Sequence, residues 1–467
     1  MLALAGLVVG VVTGFFAGAA ERGLYATGLW STGGASTIAP GVFDDPSGAG
    51  GTTTPSVPAG SDLPSPLLAP ASPARTSSAA EVAERIEAVD DNDVGGRYGA
   101  EVVALGSGRV LFSHRDQTPV IPASTLKLLT SAAALSRLGP DHEFVTTVVR
   151  AARGRIVLVG GGDPYLTRAG RPGPRRASLA ALAQTAAAEL RRTGTTRVAL
   201  DYDASRFSGP AWNPTWPTAY ADQVTPVSAL WVDEGRVAGY SPGPRVSDPA
   251  REAARAFATA LQRRGVSVTA VRAARAPRSA TRIAAVSSPP LEQIVEQLLL
   301  TSDNDAAEVL LRQVALASGR AGTSADGARA VRAQLSRLRL WDDDAVVLDG
   351  SGLSRSNRLP ADLLVRLLRT AASPSHPELR PLLTGLPVAG VEGSLRVRYG
   401  DPESRAGRGV VRGKTGTLSK VHAVAGYLRT ADGEQVAFAF LVNDATNDYA
   451  ARVWLDRVTT ALSRCGC

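Results

Sequence analysis

Ser124 and Lys127 stand three residues apart in the stretch Val-Ile-Pro-Ala-Ser-Thr-Leu-Lys, residues 120–127. Side chains at i and i+3 share a helix face, so this spacing brings a hydroxyl nucleophile beside an amine. The amine serves as a base only if it can lose a proton. A guanidinium cannot do so in a protein, whereas a lysine lowered from about 10.4 by burial and a neighbouring cation can. The chain contains 51 basic residues, and only Lys127, Lys414 and Lys420 are lysine. Two of these three fall in stretches that look chemical.

The second such stretch is Lys414-Thr415-Gly416-Thr417, preceded and followed by apolar alternation. It reads as an edge strand whose glycine lets another backbone approach closely. A third stretch, Ser302-Asp303-Asn304, interrupts one helical pattern and begins another. There a hydroxyl and a carboxamide two residues apart can point into one cleft. Each motif alone is common: Ser-x-Asn is most often a helix cap, and Lys-Thr-Gly an ordinary strand end.

In the order Ser-x-x-Lys, Ser-x-Asn, Lys-Thr-Gly, the three motifs resemble those of the serine penicillin-recognising enzymes. Within that superfamily the chain resembles the D-alanyl-D-alanine carboxypeptidase/endopeptidase family, the class C low-molecular-weight penicillin-binding proteins. The likeness runs from about Ala79 to the end and includes Gly-Gly-Gly-Asp-Pro-Tyr-Leu at 160–166 and Leu-Asp-Gly-Ser-Gly-Leu-Ser-Arg-Ser-Asn-Arg-Leu at 348–359. The resemblance implies an acyl-enzyme on Ser124, with Lys127 as base, Ser302 relaying the proton and Asn304 holding Lys127 and the substrate amide. It further implies that Lys414 and Thr415 bind the terminal carboxylate. Gly416 and Thr417 belong to the substrate-binding strand, and the backbone N–H groups of Ser124 and Thr417 form an oxyanion hole. The implied partners are peptidoglycan stem peptides ending in D-Ala-D-Ala, with β-lactams as inhibitors, and no cofactor or metal is called for. Of the alternatives, a serine β-lactamase needs a glutamate to activate water, and no Glu-x-x-Leu-Asn block lies between Ser302 and Lys414. A non-hydrolytic peptide-binding protein would be expected to lack Ser124 or Lys127.

The elements that must position these residues are partly legible. Tyr98–Ala104 and Arg109–His114 read as a hairpin, and Pro122 opens a helix that Gly139-Pro140 closes. Val421–Leu428 and Gln435–Val442 read as a second hairpin around Asp432-Gly433, with a final helix over Tyr449–Leu462. The expected fold class is α+β, a β-lactamase/transpeptidase-like domain with an antiparallel sheet flanked by helices. Ser124 and Ser302 are 178 residues apart, which leaves room for a second domain between them. It is placed at 145–280, with a helix at Ser178–Arg192, a strand at Thr196–Leu200 and a helix at Pro249–Arg264. The catalytic domain then comprises 79–144 and 281–467.

Residues 1–20 lack charged side chains and are long enough, as a helix, to cross a bilayer core of about 30 Å. Residues 1–22 therefore read as a signal peptide or membrane anchor, which places the protein in the bacterial cell envelope. Residues 23–78, rich in Gly, Ser, Thr, Pro and Ala, read as a disordered linker. Glycines at 6, 10, 14 and 18 form a small-residue stripe, read as coincidental. The net charge of +8 comes from scattered arginines mixed with 43 acidic residues, which argues against a nucleic-acid partner. Cys465 and Cys467 are too few for a disulfide framework or a zinc site. No Gly-x-Ser-x-Gly elbow accompanies the four histidines, and His422 reads as a packing or surface residue. Asp163 and the run Asp342-Asp343-Asp344 read as turns, and Trp212, Trp216 and Trp231 as packing residues with a possible glycan contact.

Overall fold

The computed structural model describes residues 76–170 and 176–466. The expected signal segment, the glycine stripe, nearly all of the linker and Cys467 lie outside these. In chain order, α1 (Ala79–Glu87), β1 (Arg97–Ala104) and β2 (Val110–His114) precede a 3-10 turn, Ala123–Leu126, that runs into α2 (Lys127–Leu138). Then come β3 (Val145–Ala152), β4 (Arg155–Val159), α3 (Leu179–Arg192), β5 (Arg197–Asp203), α4 (Pro249–Gln262), β6 (Ser267–Ala273) and β7 (Thr281–Ser287). The chain continues through α5 (Leu291–Thr301), α6 (Asn304–Ala317), α7 (Ser324–Arg337), α8 (Ala361–Ala372) and the short α9 (Pro381–Thr384). It ends with β8 (Arg412–Leu418), β9 (Val421–Arg429), β10 (Gln435–Asn443) and α10 (Asp448–Ser463).

The first sheet has the order β2-β1-β10-β9-β8, antiparallel throughout, so β8 is an edge strand. Its central strand β10 is apolar on both faces and divides its side chains by size. Val436, Phe438, Phe440 and Val442 pack with α1 and α10, while Ala437, Ala439 and Leu441 pack with α2, α5 and α8. Alternate residues of a strand face opposite sides, so the alanines let α8, against which α2 packs, lie close to the sheet. The two phenylalanines bury the larger area, each side chain contributing about 1.5–3 kcal/mol.

The second sheet has the order β6-β5-β4-β3-β7, with β4–β5 and β5–β6 parallel and both β3 pairings antiparallel. Helices α3 and α4 cover one face around Leu182, Leu190, Phe257 and Leu261. Ser178 and Asp248 cap these helices, accepting from Ala181 N and Arg251 N, and Pro249 fills the first turn of α4. Because β7 pairs with β3, this sheet extends past residue 280, where the sequence reading placed its end. Among the described residues no helix is long and apolar enough to cross a membrane.

Candidate active site

Ser124 lies in the 3-10 turn and Lys127 is the first residue of α2. The expected helix from Pro122 thus opens as a 3-10 turn that runs on into α2, and Ala123, at its first position, takes a left-handed φ of 46°. Left-handed backbone at alanine is unfavourable, and here the residue is fully buried and held by its surroundings. Gly352, at φ 84°, makes room for this turn: a Cβ there would overlap the Ala123 carbonyl.

Lys127 is fully buried, and its Nζ donates to Ser124 Oγ at 2.8 Å, Asn304 Oδ1 at 2.7 Å and the Ser351 carbonyl at 2.7 Å. An ammonium has three donors, and all are used. Of the three acceptors only the serine hydroxyl can return a proton, so deprotonated Lys127 would accept from Ser124. Burial lowers Lys127 to about 8, against the opposing charges of Asp349, Asp303, Glu308 and Asp305. Of the two causes expected from the sequence, burial and a neighbouring cation, burial is the one that depresses it. The second lysine feels that cation instead: burial first, and then the charge of Lys127, hold Lys414 well below its ordinary value.

Ser302 closes α5 in a left-handed conformation, φ 57°, and Asp303 caps α6 by accepting from Ala306 N at 3.0 Å. This break aims Ser302 Oγ at Lys414 Nζ, 2.8 Å away, and places Asn304 at the first position of α6, its Nδ2 donating to the Gln223 carbonyl at 3.1 Å. Lys414 Nζ also donates to the Thr415 carbonyl at 2.7 Å, and Thr415 Oγ1 lies 2.8 Å from Ser394 Oγ. On β8, a Cβ at Gly416 would stand 2.8 Å from the Pro122 carbonyl oxygen and 3.1 Å from Ser124 N. All eight residues singled out in the sequence thus converge, with Ser124, Ser302, Asn304, Thr415 and Thr417 lining one cavity of about 810 Å³.

Sequence reasoning missed the supports. Asp349, fully buried, accepts from Gly352 N, Ser354 N, Asn357 Nδ2 and Trp216 Nε1, fixing the segment that carries Ser351. Arg236, from the long segment between β5 and α4, bonds Glu234 and Asp303, both at 2.8 Å. It does so from a left-handed turn in which Asp233, Glu234 and Gly235 have φ of 51°, 56° and 66°. The acidic residues around Ser302 and the block at 348–359 were visible as letters, but nothing in their spacing says that they are buried together.

The remaining candidates lie elsewhere. His422 is buried, with Nε2 3.0 Å from Asp448 Oδ1. Asp163 accepts from Tyr165 N at 2.8 Å within a turn, and Asp342 accepts from Asp344 N at 2.9 Å. Trp212, Trp216 and Trp231 donate internally to the Trp216 carbonyl, Asp349 and the Asp163 and Pro164 carbonyls, which commits their polar edges to packing. Among the described residues no cluster of three His, Cys, Asp or Glu could hold a metal ion.

Residues 79–241 and 238–462 match the D-Ala-D-Ala carboxypeptidase 3 (S13) family. The chain is 38% identical to carboxypeptidase Rv3627c of Mycobacterium tuberculosis, over 84% of this chain and 86% of that one. It is 30% identical to a D-alanyl-D-alanine carboxypeptidase of Actinomadura sp., covering 81% and 83% of the two chains. The crystal structure of penicillin binding protein 4 from Haemophilus influenzae superposes with a TM-score of 0.67 at 22% identity, covering 80% of this chain and 97% of that one. The fold is the α+β fold of the penicillin-binding proteins.

Proposed function

The chain belongs to the D-Ala-D-Ala carboxypeptidase 3 (S13) family, and from that membership we propose how its residues divide the work of a serine-type D-Ala-D-Ala carboxypeptidase. Ser124 Oγ attacks the carbonyl carbon between the two terminal D-alanines of a peptidoglycan stem peptide as its proton passes to Lys127 Nζ. The backbone N–H groups of Ser124 and Thr417 take the developing oxyanion, a contribution of about 3–4 kcal/mol per donor in comparable sites. Ser302 hands the proton to the leaving amine. The C–N bond breaks, D-alanine departs, and the peptide remains as an ester on Ser124 until water hydrolyses it.

Lys414 and Thr415 receive the terminal carboxylate. Among the described residues the Lys414 ammonium hydrogen-bonds to a hydroxyl and a carbonyl and to no carboxylate, so an incoming carboxylate supplies the countercharge that its burial otherwise denies it. The same pair would take the carboxylate of a β-lactam. Cleavage of cross-links as well as termini, attachment through residues 1–22, and a catalytic domain of 79–144 with 288–467 around an inserted 145–287, which takes in β7, belong to this proposal.

The observation that carries the assignment is the threefold coordination of Lys127, in which Ser124 is the one acceptor able to give up a proton. A β-lactamase reading needs a carboxylate to activate water beside the ester. Lys127 has none among its three partners, and Glu234 and Asp303, which line the cavity, are both paired with Arg236. The test is to incubate the protein with a peptide ending in D-Ala-D-Ala and with labelled penicillin. Released D-alanine and a label on Ser124 that persists for minutes support the proposal; rapid turnover of penicillin would favour the β-lactamase reading instead.

A further inference from the structure

Two of the acceptors around Lys127 come from the motifs that carry the chemistry, but the third is the main-chain carbonyl of Ser351, 2.7 Å away. A carbonyl points where its peptide neighbours let it point. Those neighbours are held by a residue outside all three motifs: Glu308 Oε1 accepts from Gly350 N and from Ser351 N, both at 2.8 Å. Thr130 Oγ1 completes the anchorage by donating to the Gly350 carbonyl at 2.8 Å.

Glu308 sits on α6 four residues after Asn304, and residues at i and i+4 share a helix face. A single rigid element therefore presents the Asn304 side chain to Lys127 directly and grips the two amides just before the Ser351–Gly352 peptide that supplies the remaining acceptor, whose own N–H donates to Asp349. Glu308 is fully buried, and among the described residues its Oε2 has no hydrogen-bond partner. Burial and the adjacent Asp349 push its carboxyl up to about 8. The charged groups around it are Asp349 from the loop, Lys127 from α2 and Arg312 from its own helix.

We propose that Glu308 is a positioning residue for the base: it fixes the Gly350–Ser351 backbone, and through it the adjoining Ser351 carbonyl, so that Lys127 keeps its third acceptor. An orienting role is satisfied by any acceptor of the same reach, charged or neutral.

The experiment compares parent, Glu308→Ala and Glu308→Gln for the rate of penicillin acylation across pH, and for the KM of a D-Ala-D-Ala peptide. Glu308→Ala leaves both amides without an acceptor and should slow acylation at least tenfold at neutral pH, with KM changed less than threefold because Lys414 and Thr415 are untouched. Glu308→Gln retains an acceptor oxygen and should recover most of that loss. A Glu308→Gln protein as slow as Glu308→Ala, or a Glu308→Ala protein that acylates at the parental rate, overturns the proposal. If Glu308→Ala does not fold, Glu308→Gln decides alone: a near-parental rate across pH supports the proposal, and a tenfold loss overturns it. The inference rests on the acyl-enzyme reading: a parent that penicillin does not label removes both, whereas a labelled parent with unaffected variants removes this one only.

Discussion

Arg236 Nη2 lies 2.8 Å from Asp303 Oδ2, joining the segment inserted between the first two catalytic motifs to the middle residue of the second. The same guanidinium reaches Glu234 at 2.8 Å and Asp305 at 3.6 Å, while Arg245 approaches Asp305 at 3.4 Å. Three buried carboxylates share these cations, and Glu234 is held well above its ordinary range by burial and by Asp303. Arg236→Met would strand them. Removing one partner of a buried ion pair costs about 3–5 kcal/mol. Urea denaturation of Arg236→Met should show a loss of that order, together with slower acylation as the Ser302 loop loosens. Parental stability would mean that the clamp is not what holds the loop.

The three lysines offer a controlled comparison. Lys127→Arg keeps a cation but removes the group able to take the Ser124 proton, and acylation should fall by about 100-fold or more. Lys414→Arg retains the cation for the carboxylate and should weaken peptide binding more than it slows acylation. Lys420 donates its backbone N–H to Asp448 and carries no motif function, so Lys420→Arg should match the parent. Stopped-flow acylation of the three proteins by penicillin distinguishes these outcomes.

The pH dependence follows from the buried base. Lys127 is lowered to about 8, so its free amine form is scarce at pH 6 and predominates above that value. Acylation should therefore rise with pH through a limb centred near 8. A limb centred near 10, where an ordinary lysine titrates, would show that burial does not tune this residue.

Gly416 tests the closeness of β8 to the nucleophile. Gly416→Ala would place a methyl group 2.8 Å from the Pro122 carbonyl oxygen, a backbone atom with little freedom to move. The edge strand should shift away from Ser124, lowering acylation at least tenfold while the thermal transition stays cooperative. An alanine variant of parental rate would indicate that the strand is looser than it stands here.

The folded unit begins earlier than the first helix. Ser77 is buried, its N–H donates to Glu434 Oε2 at 2.7 Å, and its carbonyl accepts from Arg109. A chain starting at Thr76 should unfold at the same temperature as one starting further upstream, whereas a chain starting at Ala79 should lose about 1 kcal/mol or more with these hydrogen bonds. Identical melting curves for the two starts would count against any role for Ser77.

The sequence by itself determined the chemistry and most of the elements. A serine three residues before a rare lysine, and a Lys-Thr-Gly in an apolar alternating run, are local patterns whose meaning lies in residue type and short spacing. Hairpins around Gly106 and Asp432-Gly433, and helices capped by Ser178 and Asp248, are local for the same reason. The tertiary structure decided what those residues feel. Lys127 and Glu308 are altered by burial, which depends on elements far apart in the chain and leaves no periodic trace. The left-handed turns at Ala123, Ser302 and Asp233–Gly235 occur mostly at residues that do not prefer that conformation, so only packing against distant segments can impose them. The roles of Glu308, Asp349 and Arg236 arise in the same way: their partners are backbone amides and carboxylates brought together by the packing of α6 against loops that precede and follow it in the chain, a proximity that no spacing encodes.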